Sequence, residues 1–445
     1  MMKKLLLCLM AVAIVKFSHA QLNGTWSATY PFTMTTAQGV PWYCSATSAS
    51  SVWICANSGN EFMHTQDMGL TWTVSNVSTG AGWGWSSLVG LDELTAWATF
   101  YNSGSGSNGR VYKTSDGGLT WTQQTVGYTS TSFANFSYFW NANEGITSGD
   151  PKNNEYEIFS TMDGGTTWTL VPGANIADPL SGEYGLTDSY CASGNSIWAG
   201  TTGGRILYSH DKGLNWGVMT TMQGNTDYIS RLAFRDSLNG MYLANDAQGN
   251  YLGIYKTNDG GATWTMVSDG QTDIGGIFQP LSISYVPGTT GSYVVTAASN
   301  GDMGSAYTND EGVSWTNIDL MARTYVNFIS KDNGWSGVID QNIQSNGAAS
   351  WAGLIGFNEI DNATNAAVFP NPALDVINVM IQKSENEEVA IEIVDMLGNL
   401  VYSTSYTPVT NNFAYQINAS TLAQGTYMVK VKTNNAETSH RIVKL

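Results

Sequence analysis

The segment TSDGGLTW, at residues 114–121, occurs six times along the chain with small changes. The other five copies are TQDMGLTW (65–72), TMDGGTTW (161–168), SHDKGLNW (209–216), TNDGGATW (257–264) and TNDEGVSW (308–315). Their aspartates follow one another at intervals of 49, 47, 48, 48 and 51 residues. A regular period of about 48 residues predicts one four-stranded sheet per copy, which is the repeating unit of a β-propeller.

Each copy predicts a tight turn between two β-strands. A hydroxyl residue opens the segment, and an aspartate follows two positions later; both side chains can hydrogen-bond to nearby backbone N–H groups. A glycine two positions after the aspartate supplies a backbone conformation with positive φ. The tryptophan that ends the segment begins the next strand and offers a large apolar surface for packing.

The segment resembles the Asp box, also called the BNR repeat, whose pattern is S-x-D-x-G-x-[ST]-W. One copy departs from it, because Asn215 replaces the hydroxyl residue before the tryptophan. Asp boxes occur in sialidases, xyloglucan-type glycosidases, sortilin-like receptors and photosystem II assembly factor-like propellers. In these families the box lies between the third and fourth strands, away from the ligand face. The resemblance implies a structural role for Asp67, Trp72, Asp116, Trp121, Asp163, Trp168, Asp211, Trp216, Asp259, Trp264, Asp310 and Trp315.

The phase of the boxes predicts an all-β chain in which residues 21–360 form a seven-bladed β-propeller. The seventh unit, at 323–357, has strand-like sequence but no box. GTWSATYP, at 24–31, is similar to the tryptophan-led strand that follows each box. We therefore expect the N-terminal strand to complete the seventh blade and close the ring, which leaves no exposed sheet edge. Six blades with a separate N-terminal strand are the alternative.

Both ends of the chain indicate export. Residues 1–20 have Lys3 and Lys4 near their start, continue with an apolar stretch and end in a small-residue cleavage site, as in a signal peptide. A polar segment, 361–367, predicts a linker. Residues 368–445 show alternating apolar residues such as Val389, Ile391 and Ile393, which predict a small Ig-like β-sandwich.

The C-terminal segment resembles the type A C-terminal sorting domain of the type IX secretion system of Bacteroidota. The matching pieces are FPNP (369–372), IEIVDMLGNLV (391–401), INASTLAQGTYMVKV (417–431) and the final RIVKL. The resemblance implies that the type IX machinery is a partner of residues 368–445. It also implies that the protein is secreted or delivered to the cell surface.

Composition limits the partners and the chemistry. The chain has 35 acidic and 18 basic residues, a net charge of −17, which disfavours binding to nucleic acid or to anionic membranes. Cys44 and Cys55 lie on two predicted neighbouring strands, so either a disulfide or two small buried residues is expected there. No HExxH motif, histidine cluster or phosphate-binding glycine loop is present, so we expect no metal and no cofactor.

Candidate ligand-binding residues lie in loops predicted on the face opposite the boxes, where aromatic rings, acids and an arginine could bind a sugar. They are Trp83, Trp85, Tyr101, Asp150, Asp178, Asp188, Asp227, Arg231 and Asp246. A glycosidase needs two carboxyl groups, one protonated and one ionised. The sequence identifies no such pair, so no catalytic residue is assigned.

The enzymes among the box-bearing families are a poor match. Sialidases bind a substrate carboxylate with three arginines and carry an F/Y-R-I-P segment, which is absent here. Assembly factor-like propellers are a better match in size, and DNGW (332–335) and SIWAG (196–200) are similar to their blades. We therefore expect a surface-delivered binding or adhesion module for a glycan or a protein. The alternative is a sialidase-like glycoside hydrolase or lyase that uses loop carboxylates.

Overall fold

The computed structural model describes residues 21–444 except 23, 28–29, 32–39, 58, 300–301, 341–344, 354–364, 370–372, 374–375, 383–387, 396–397, 408–411 and 434–436. The predicted signal peptide lies outside these residues. The chain divides into two units, Met1–Gly353 and Leu354–Leu445. In the described part, no helix is long and apolar enough to cross a membrane.

The first unit consists of seven antiparallel sheets in the described residues. Two short strands, β1 (Gly24–Trp26) and β2 (Tyr30–Pro31), precede them. Sheet 1 contains β3 (Pro41–Ala46), β4 (Val52–Ala56), β5 (Glu61–Thr65) and β6 (Thr73–Asn76). Sheet 2 contains β7 (Trp83–Gly90), β8 (Ala96–Asn102), β9 (Ser107–Thr114) and β10 (Thr122–Gln124). Sheet 3 contains β11 (Ala134–Phe139), β12 (Gly145–Lys152), β13 (Glu155–Thr161) and β14 (Thr169–Leu170).

The remaining sheets repeat the same order of strands. Sheet 4 contains β15 (Gly185–Ser193), β16 (Ser196–Thr201), β17 (Arg205–Ser209) and β18 (Gly217–Thr220). Sheet 5 contains β19 (Tyr228–Phe234), β20 (Gly240–Asn245), β21 (Tyr251–Thr257) and β22 (Thr265–Ser268). Sheet 6 contains β23 (Ser282–Tyr285), β24 (Tyr293–Ser299), β25 (Asp302–Thr308) and β26 (Thr316–Asp319). Sheet 7 contains β27 (Arg323–Ser330), β28 (Asn333–Asp340) and β29 (Ser345–Gly353). A single 3₁₀ turn, Gly173–Asn175, precedes sheet 4.

The seven sheets form a ring around a central channel. The first strand of each sheet contacts the first strand of the next, from β3 through β7, β11, β15, β19 and β23 to β27, and β27 contacts β3 in turn. The last strands, such as β10 and β14, are mostly exposed and form the outside. The prediction of an all-β propeller is confirmed. The described residues of the first unit form seven sheets, the number expected for seven blades.

The N-terminal strand closes the ring, as the sequence predicts. β1 pairs antiparallel with β29, with Trp26 opposite Trp351. The Trp26 indole donates a hydrogen bond to Ser305 Oγ at 2.9 Å, and its ring centroid lies 5.2 Å from that of Trp351 in an edge-on contact. Upstream of β1, Leu22 N donates to Asn309 Oδ1 at 2.8 Å. The closing strand is therefore anchored to both sheet 6 and sheet 7.

Each Asp box forms the turn between the third and fourth strands of its sheet. In the fifth box, Asp259 Oδ1 accepts hydrogen bonds from the Thr257 hydroxyl at 2.8 Å and from Thr263 N at 2.9 Å. The Thr257 hydroxyl oxygen in turn accepts the Gly261 N–H at 2.9 Å. The fourth box keeps this geometry despite its altered residue, because Asn215 Nδ2 donates to Asp211 Oδ2 at 2.6 Å as the missing hydroxyl would.

We expect Thr257→Val to destabilise the propeller by about 1–3 kcal/mol, because valine has nearly the same shape but leaves the buried Gly261 N–H without an acceptor. Thr257 is buried, and its hydroxyl is the acceptor for that group. Urea denaturation followed by tryptophan fluorescence measures the change. Thr265→Val, on the exposed side of β22, is the matched control and should have little effect. Equal stabilities for the two variants would contradict the structural role of the box.

The second unit is a two-sheet sandwich. Its strands are β30 (Asn365–Phe369), β31 (Val376–Gln382), β32 (Val389–Asp395), β33 (Leu400–Tyr406), β34 (Asn412–Asn418), β35 (Gly425–Lys432) and β36 (Glu437–Lys444). One sheet has the order β30-β31-β34 and the other β33-β32-β35-β36. Ile377 and Ile417 from the first sheet pack with Ile391 and Val429 from the second in one buried core.

The predicted linker, 361–367, is wrong at its C-terminal end. Residues 365–367 belong to β30, where Ala366 pairs with Ile381 and Ala367 with Met380. Small residues in an edge strand are compatible with pairing even when the sequence shows no strand-like alternation, because the partner strand supplies the apolar side chains. The rest of the predicted linker lies outside the described residues.

Candidate functional site

The central channel contains a group of side chains that we call the channel cluster: Tyr43, Thr187, Asp188, Arg231 and Tyr325. All five lie on first strands, which line the channel. The regular pairing of β15 with β16 breaks between Gly185 and Tyr190, and Asp188 adopts a positive φ of 52° within that break. The pairing of β19 with β20 also shifts between Ile229 and Arg231. Such bulges redirect side chains and are common next to binding sites.

The cluster spans the ring. The Tyr43 hydroxyl donates to Thr187 Oγ1 at 3.0 Å, and these residues belong to sheets 1 and 4, which are not neighbours. The Arg231 guanidinium, from sheet 5, lies 4.3 Å from the centroid of the Tyr325 ring of sheet 7. It also lies 6.0 Å from the Tyr43 ring. Side chains from four sheets thus meet in the channel and narrow it.

Polar groups in the cluster lack partners. Arg231 Nη1 donates to the Ser230 carbonyl at 2.6 Å, but Arg231 Nε has no hydrogen-bond partner in the described part of the chain. The Tyr325 hydroxyl is likewise buried and unpartnered there. A buried polar group without a partner costs free energy, so these two groups are available to a bound ligand or to water.

Burial also changes the ionisation of the cluster. It raises the pKa of Asp188 from 3.8 to about 7, and the nearby Arg231 charge offsets only part of this effect. Burial lowers the pKa of Arg231, which Asp188 and Tyr43 partly oppose. The pKa of Tyr43 is raised by burial and further by Asp188. A carboxyl group whose pKa is raised this far in a cleft is typical of functional sites.

We expect Asp188→Asn to be more stable than the wild type above pH 7. The difference in stability between the two should shrink as the pH falls toward about 4. The unfolded Asp188 carboxyl loses its proton near pH 3.8, whereas the folded one keeps it to about pH 7. The folded state therefore binds more protons within this window, and stability falls as the pH rises through it. Asparagine removes the titration and also tolerates the positive φ.

Thermal unfolding of the wild type and Asp188→Asn across this pH range measures the effect. Asp178→Asn is the matched control, because Asp178 is an exposed carboxylate on the loop before sheet 4. A difference between wild type and Asp188→Asn that does not vary with pH would contradict the raised pKa of the Asp188 carboxyl.

A second group of acids lies near the loops between the second and third strands, at the end of the sheets opposite the boxes. Asp150 Oδ1 accepts hydrogen bonds from Asn135 Nδ2 at 2.9 Å and from Gly185 N at 3.1 Å, which ties sheet 3 to sheet 4. Burial raises the pKa of Asp150 to about 6, and Glu157 adds to the rise through charge repulsion. Glu157 Oε2 is itself buried without a partner among the described residues.

The other predicted ligand residues have local structural contacts. Trp83 and Trp85 are buried in the core of sheets 1 and 2, and the Arg110 guanidinium covers the Trp83 ring at 3.9 Å. Tyr101 stacks on Phe133, with ring centroids 4.8 Å apart. The two tryptophans are therefore not on the ligand face, because the side chains at these positions of β7 point between sheets.

Among the remaining acids, two hold turns. Asp227 Oδ2 accepts the Gly224 N–H at 2.7 Å, and Asp246 accepts the N–H groups of Gln248 and Asn250. Asp178 contributes its backbone carbonyl to Arg205 Nη2 at 2.9 Å while its side chain is exposed. Of the nine predicted residues, only Asp188 and Arg231 lie in the channel cluster.

Sequence reasoning missed Tyr43, Thr187, Tyr325 and Glu157. The phase of the repeat contains a signal for three of them. Tyr43, Thr187 and Tyr325 each occupy the third position of a first strand, while Asp188 and Arg231 occupy the fourth. Aligning the repeats on their first strands, rather than on the boxes, places all five residues at similar depth in the channel.

The three cysteines that the structure describes form no disulfide. Cys44, Cys55 and Cys191 are free thiols. Cys44 pairs with Ile54 across β3 and β4, so Cys55 is one position further and points to the other face of the sheet. Burial raises the pKa of both Cys44 and Cys55, which suits small buried residues rather than reactive thiols.

Comparison with known proteins identifies the C-terminal segment and supports the propeller fold. Residues 367–445 match the model of the secretion system C-terminal sorting domain. No curated protein matches the chain. Among solved structures, YCF48 bound to D1 peptide is 14% identical, with a TM-score of 0.52 over 75% of this chain and 99% of that one. YCF48 from Cyanidioschyzon merolae is 13% identical, with a TM-score of 0.53 over 74% and 99%.

A GH74 xyloglucanase from Xanthomonas campestris is 10% identical over 74% of this chain and 76% of that one, with a TM-score of 0.26, which is too low to support any inference. The likeness to YCF48 is a likeness of fold alone at these identities. The chain is thus a secreted or cell-surface protein that combines a β-propeller with a secretion system C-terminal sorting domain, through which the type IX system exports it.

Proposed function

We propose that the exported propeller is a binding or adhesion module that holds an extracellular protein or glycan at the mouth of its central channel. The observation that carries this proposal is the channel cluster, where Arg231 Nε and the Tyr325 hydroxyl are buried without partners. First strands begin at the end of the sheets opposite the boxes, so a ligand entering from that face meets these groups.

The chemistry of the cluster supports recognition. A guanidinium between two tyrosine rings offers hydrogen-bond donors and flat apolar surfaces together. Such surfaces stack well on sugar rings or on planar groups of a peptide. Among structures of similar fold, YCF48 has been determined bound to a D1 peptide, which supports the idea that a propeller of this kind can hold a peptide.

The arrangement of the arginines argues against a sialidase-like site. Arg205 pairs with Glu183, Arg235 with Asp236 and Glu311, and Arg323 with Asp319. Arg110 lies over Trp83. Arg231 is therefore the arginine of the propeller that contributes to the channel cluster, and one guanidinium does not make the three-arginine site of sialidases.

A binding screen tests this proposal. The full exported chain is applied to glycan arrays and to extracellular protein extracts, alongside Arg231→Gln and the matched control Arg110→Gln. Arg231→Gln should lose most of the binding, because the channel loses its donor, whereas Arg110→Gln removes the same charge from sheet 2 and should retain it. Equal binding by wild type and Arg231→Gln would overturn the proposal.

One observation favours a second candidate function, a glycoside hydrolase. Asp150, whose pKa is raised to about 6, interacts with Glu157, whose Oε2 is buried without a partner in the described residues. Glycosidases use two carboxyl groups, one of which is a general acid with a raised pKa. A polysaccharide hydrolysis screen with wild type and Asp150→Asn tests this candidate, and turnover that Asp150→Asn abolishes would establish it.

A further inference from the structure

On the Asp-box face, a side chain from one sheet contacts the backbone of the next sheet at three junctions, whereas Ser160 and Tyr208 stand at that position before the junctions of sheets 3 and 4 and of sheets 4 and 5. At these three junctions the residue before one box lies near the fourth residue of the next box along the ring. At two of these junctions the crossing side chain is a lysine, and at the third it is His64, whose pKa burial lowers to about 4. His64 hydrogen-bonds the backbone of Gly117, Lys113 Nζ donates to the Gly164 carbonyl at 3.1 Å, and Lys256 Nζ donates to the Glu311 carbonyl at 3.0 Å.

Two of these three side chains, His64 and Lys113, also contact aromatic rings. The His64 ring stacks on Trp53 with centroids 3.6 Å apart. Lys113 Nζ lies 5.0 Å from the centroid of the Trp97 ring. An aromatic face and a backbone carbonyl together form a small site for a cation, because both present negative charge to it.

At the junction of sheets 4 and 5 the crossing side chain is missing. Tyr208 occupies the position of His64, Lys113 and Lys256, and Gly260 occupies the position of the acceptor residue. The Tyr208 ring lies against Gly217 of its own sheet, so closely that a Cβ there would be 2.7 Å from Tyr208 Cζ. The ring therefore does not cross to sheet 5.

A cavity of about 470 Å³ lies at this junction instead. Tyr208, His210, Leu238 and Gly260 are among the residues that line it. A second cavity of about 600 Å³ adjoins the same Tyr208 and His210. Trp198, in the second strand of sheet 4, lies edge-on to His210 with centroids 5.9 Å apart. The junction of sheets 4 and 5 therefore has aromatic rings and the Gly260 backbone around a cavity, where two other junctions have a lysine side chain.

We propose that the cavity at the junction of sheets 4 and 5 binds the side chain of a lysine presented by a partner protein. The ammonium group takes the place that Lys113 and Lys256 fill at their own junctions. Leu238, which is 54% exposed, contacts the aliphatic part of the lysine. The net charge of −17 favours a basic partner over an acidic one.

This surface lies on the box face and is separate from the channel cluster. The sequence predicts no ligand there, because the boxes are structural. The lysine site therefore does not depend on the function proposed for the channel, and Arg231→Gln should leave it unchanged.

The test uses the full chain and two small probes, N-acetyl-lysine methylamide and N-acetyl-norleucine methylamide, observed by saturation-transfer NMR. Norleucine has the same aliphatic chain without the ammonium group. The wild type should saturate the protons next to the lysine ammonium and give little signal with norleucine. Tyr208→Lys should abolish the lysine signal and raise the unfolding temperature, because the new side chain fills the gap as Lys113 and Lys256 do.

Ser160→Lys is the matched control, since it adds the same charge at the same repeat position of sheet 3 without filling the cavity, and it should retain the lysine signal. Leu238→Trp blocks the cavity from an exposed loop and should abolish the signal even if Tyr208→Lys does not fold. Equal signals from lysine and norleucine, no signal from either, or a lysine signal that persists in Leu238→Trp would overturn the proposal.

Discussion

Removal of residues 367–445 is expected to abolish surface display and leave the propeller in the periplasm. These residues are the sorting domain, and the type IX system recognises its substrates through that domain. The propeller forms a compact unit of its own that ends at Gly353, so the truncated chain should still fold. Cell fractionation, together with protease treatment of whole cells, measures where the protein accumulates.

Two substitutions within the sorting domain sharpen this test. Ile391→Asp places a charge in the fully buried core of the sandwich and should reduce display nearly as much as the truncation. Lys432→Ala removes a partly exposed side chain that pairs with Glu392, and it should be displayed normally. Normal surface display of the truncated chain would contradict the role of the domain.

Trp26→Ala is expected to destabilise the propeller by about 3–5 kcal/mol, the usual cost of deleting a buried tryptophan side chain. The Trp26 ring is buried between Phe328 and Trp351, and the Arg323 guanidinium lies 4.8 Å from its centroid. Because β1 is the strand that closes the ring, loss of the Trp26 side chain should also make it easier for the ring to open between sheet 7 and sheet 1.

Urea denaturation followed by tryptophan fluorescence reports this change on the propeller alone, because all 16 tryptophans precede residue 352. Thr25→Ala, on the same strand with a partly exposed side chain, is the matched control and should cost little. A Trp26→Ala variant as stable as the wild type would show that the N-terminal strand does not secure the ring.

The sequence predicts most of the fold, because each box predicts a turn and the spacing of the boxes predicts where each sheet begins and ends. Asp67 and its five counterparts locate the turn between the third and fourth strands of each sheet. The same phase predicts that the last sheet lacks a strand and that Trp26 supplies it. The turn of the fourth box keeps its geometry although Asn215 departs from the pattern, because the Asn215 amide N–H replaces the hydroxyl donor.

The site is less predictable, because it depends on contacts across the ring. Asp188 and Arg231 were predicted from their residue types, but Tyr43 and Tyr325 are far away in the sequence and no short motif joins them. The bulge that gives Asp188 a positive φ has no signature in local sequence. Trp83 and Trp85 were misplaced because an aromatic residue near a loop can face either the ligand or the neighbouring sheet, and here both are buried.

Comparison of wild type, Arg231→Gln and Asp150→Asn on one panel of glycans and extracellular proteins tests the central claim most directly, with binding and turnover measured on the same samples. The account predicts a bound ligand that is recovered unchanged, whose binding Arg231→Gln abolishes and Asp150→Asn leaves intact. Two results would contradict the account: hydrolysis of a polysaccharide that Asp150→Asn abolishes, or ligand binding that Arg231→Gln leaves unchanged.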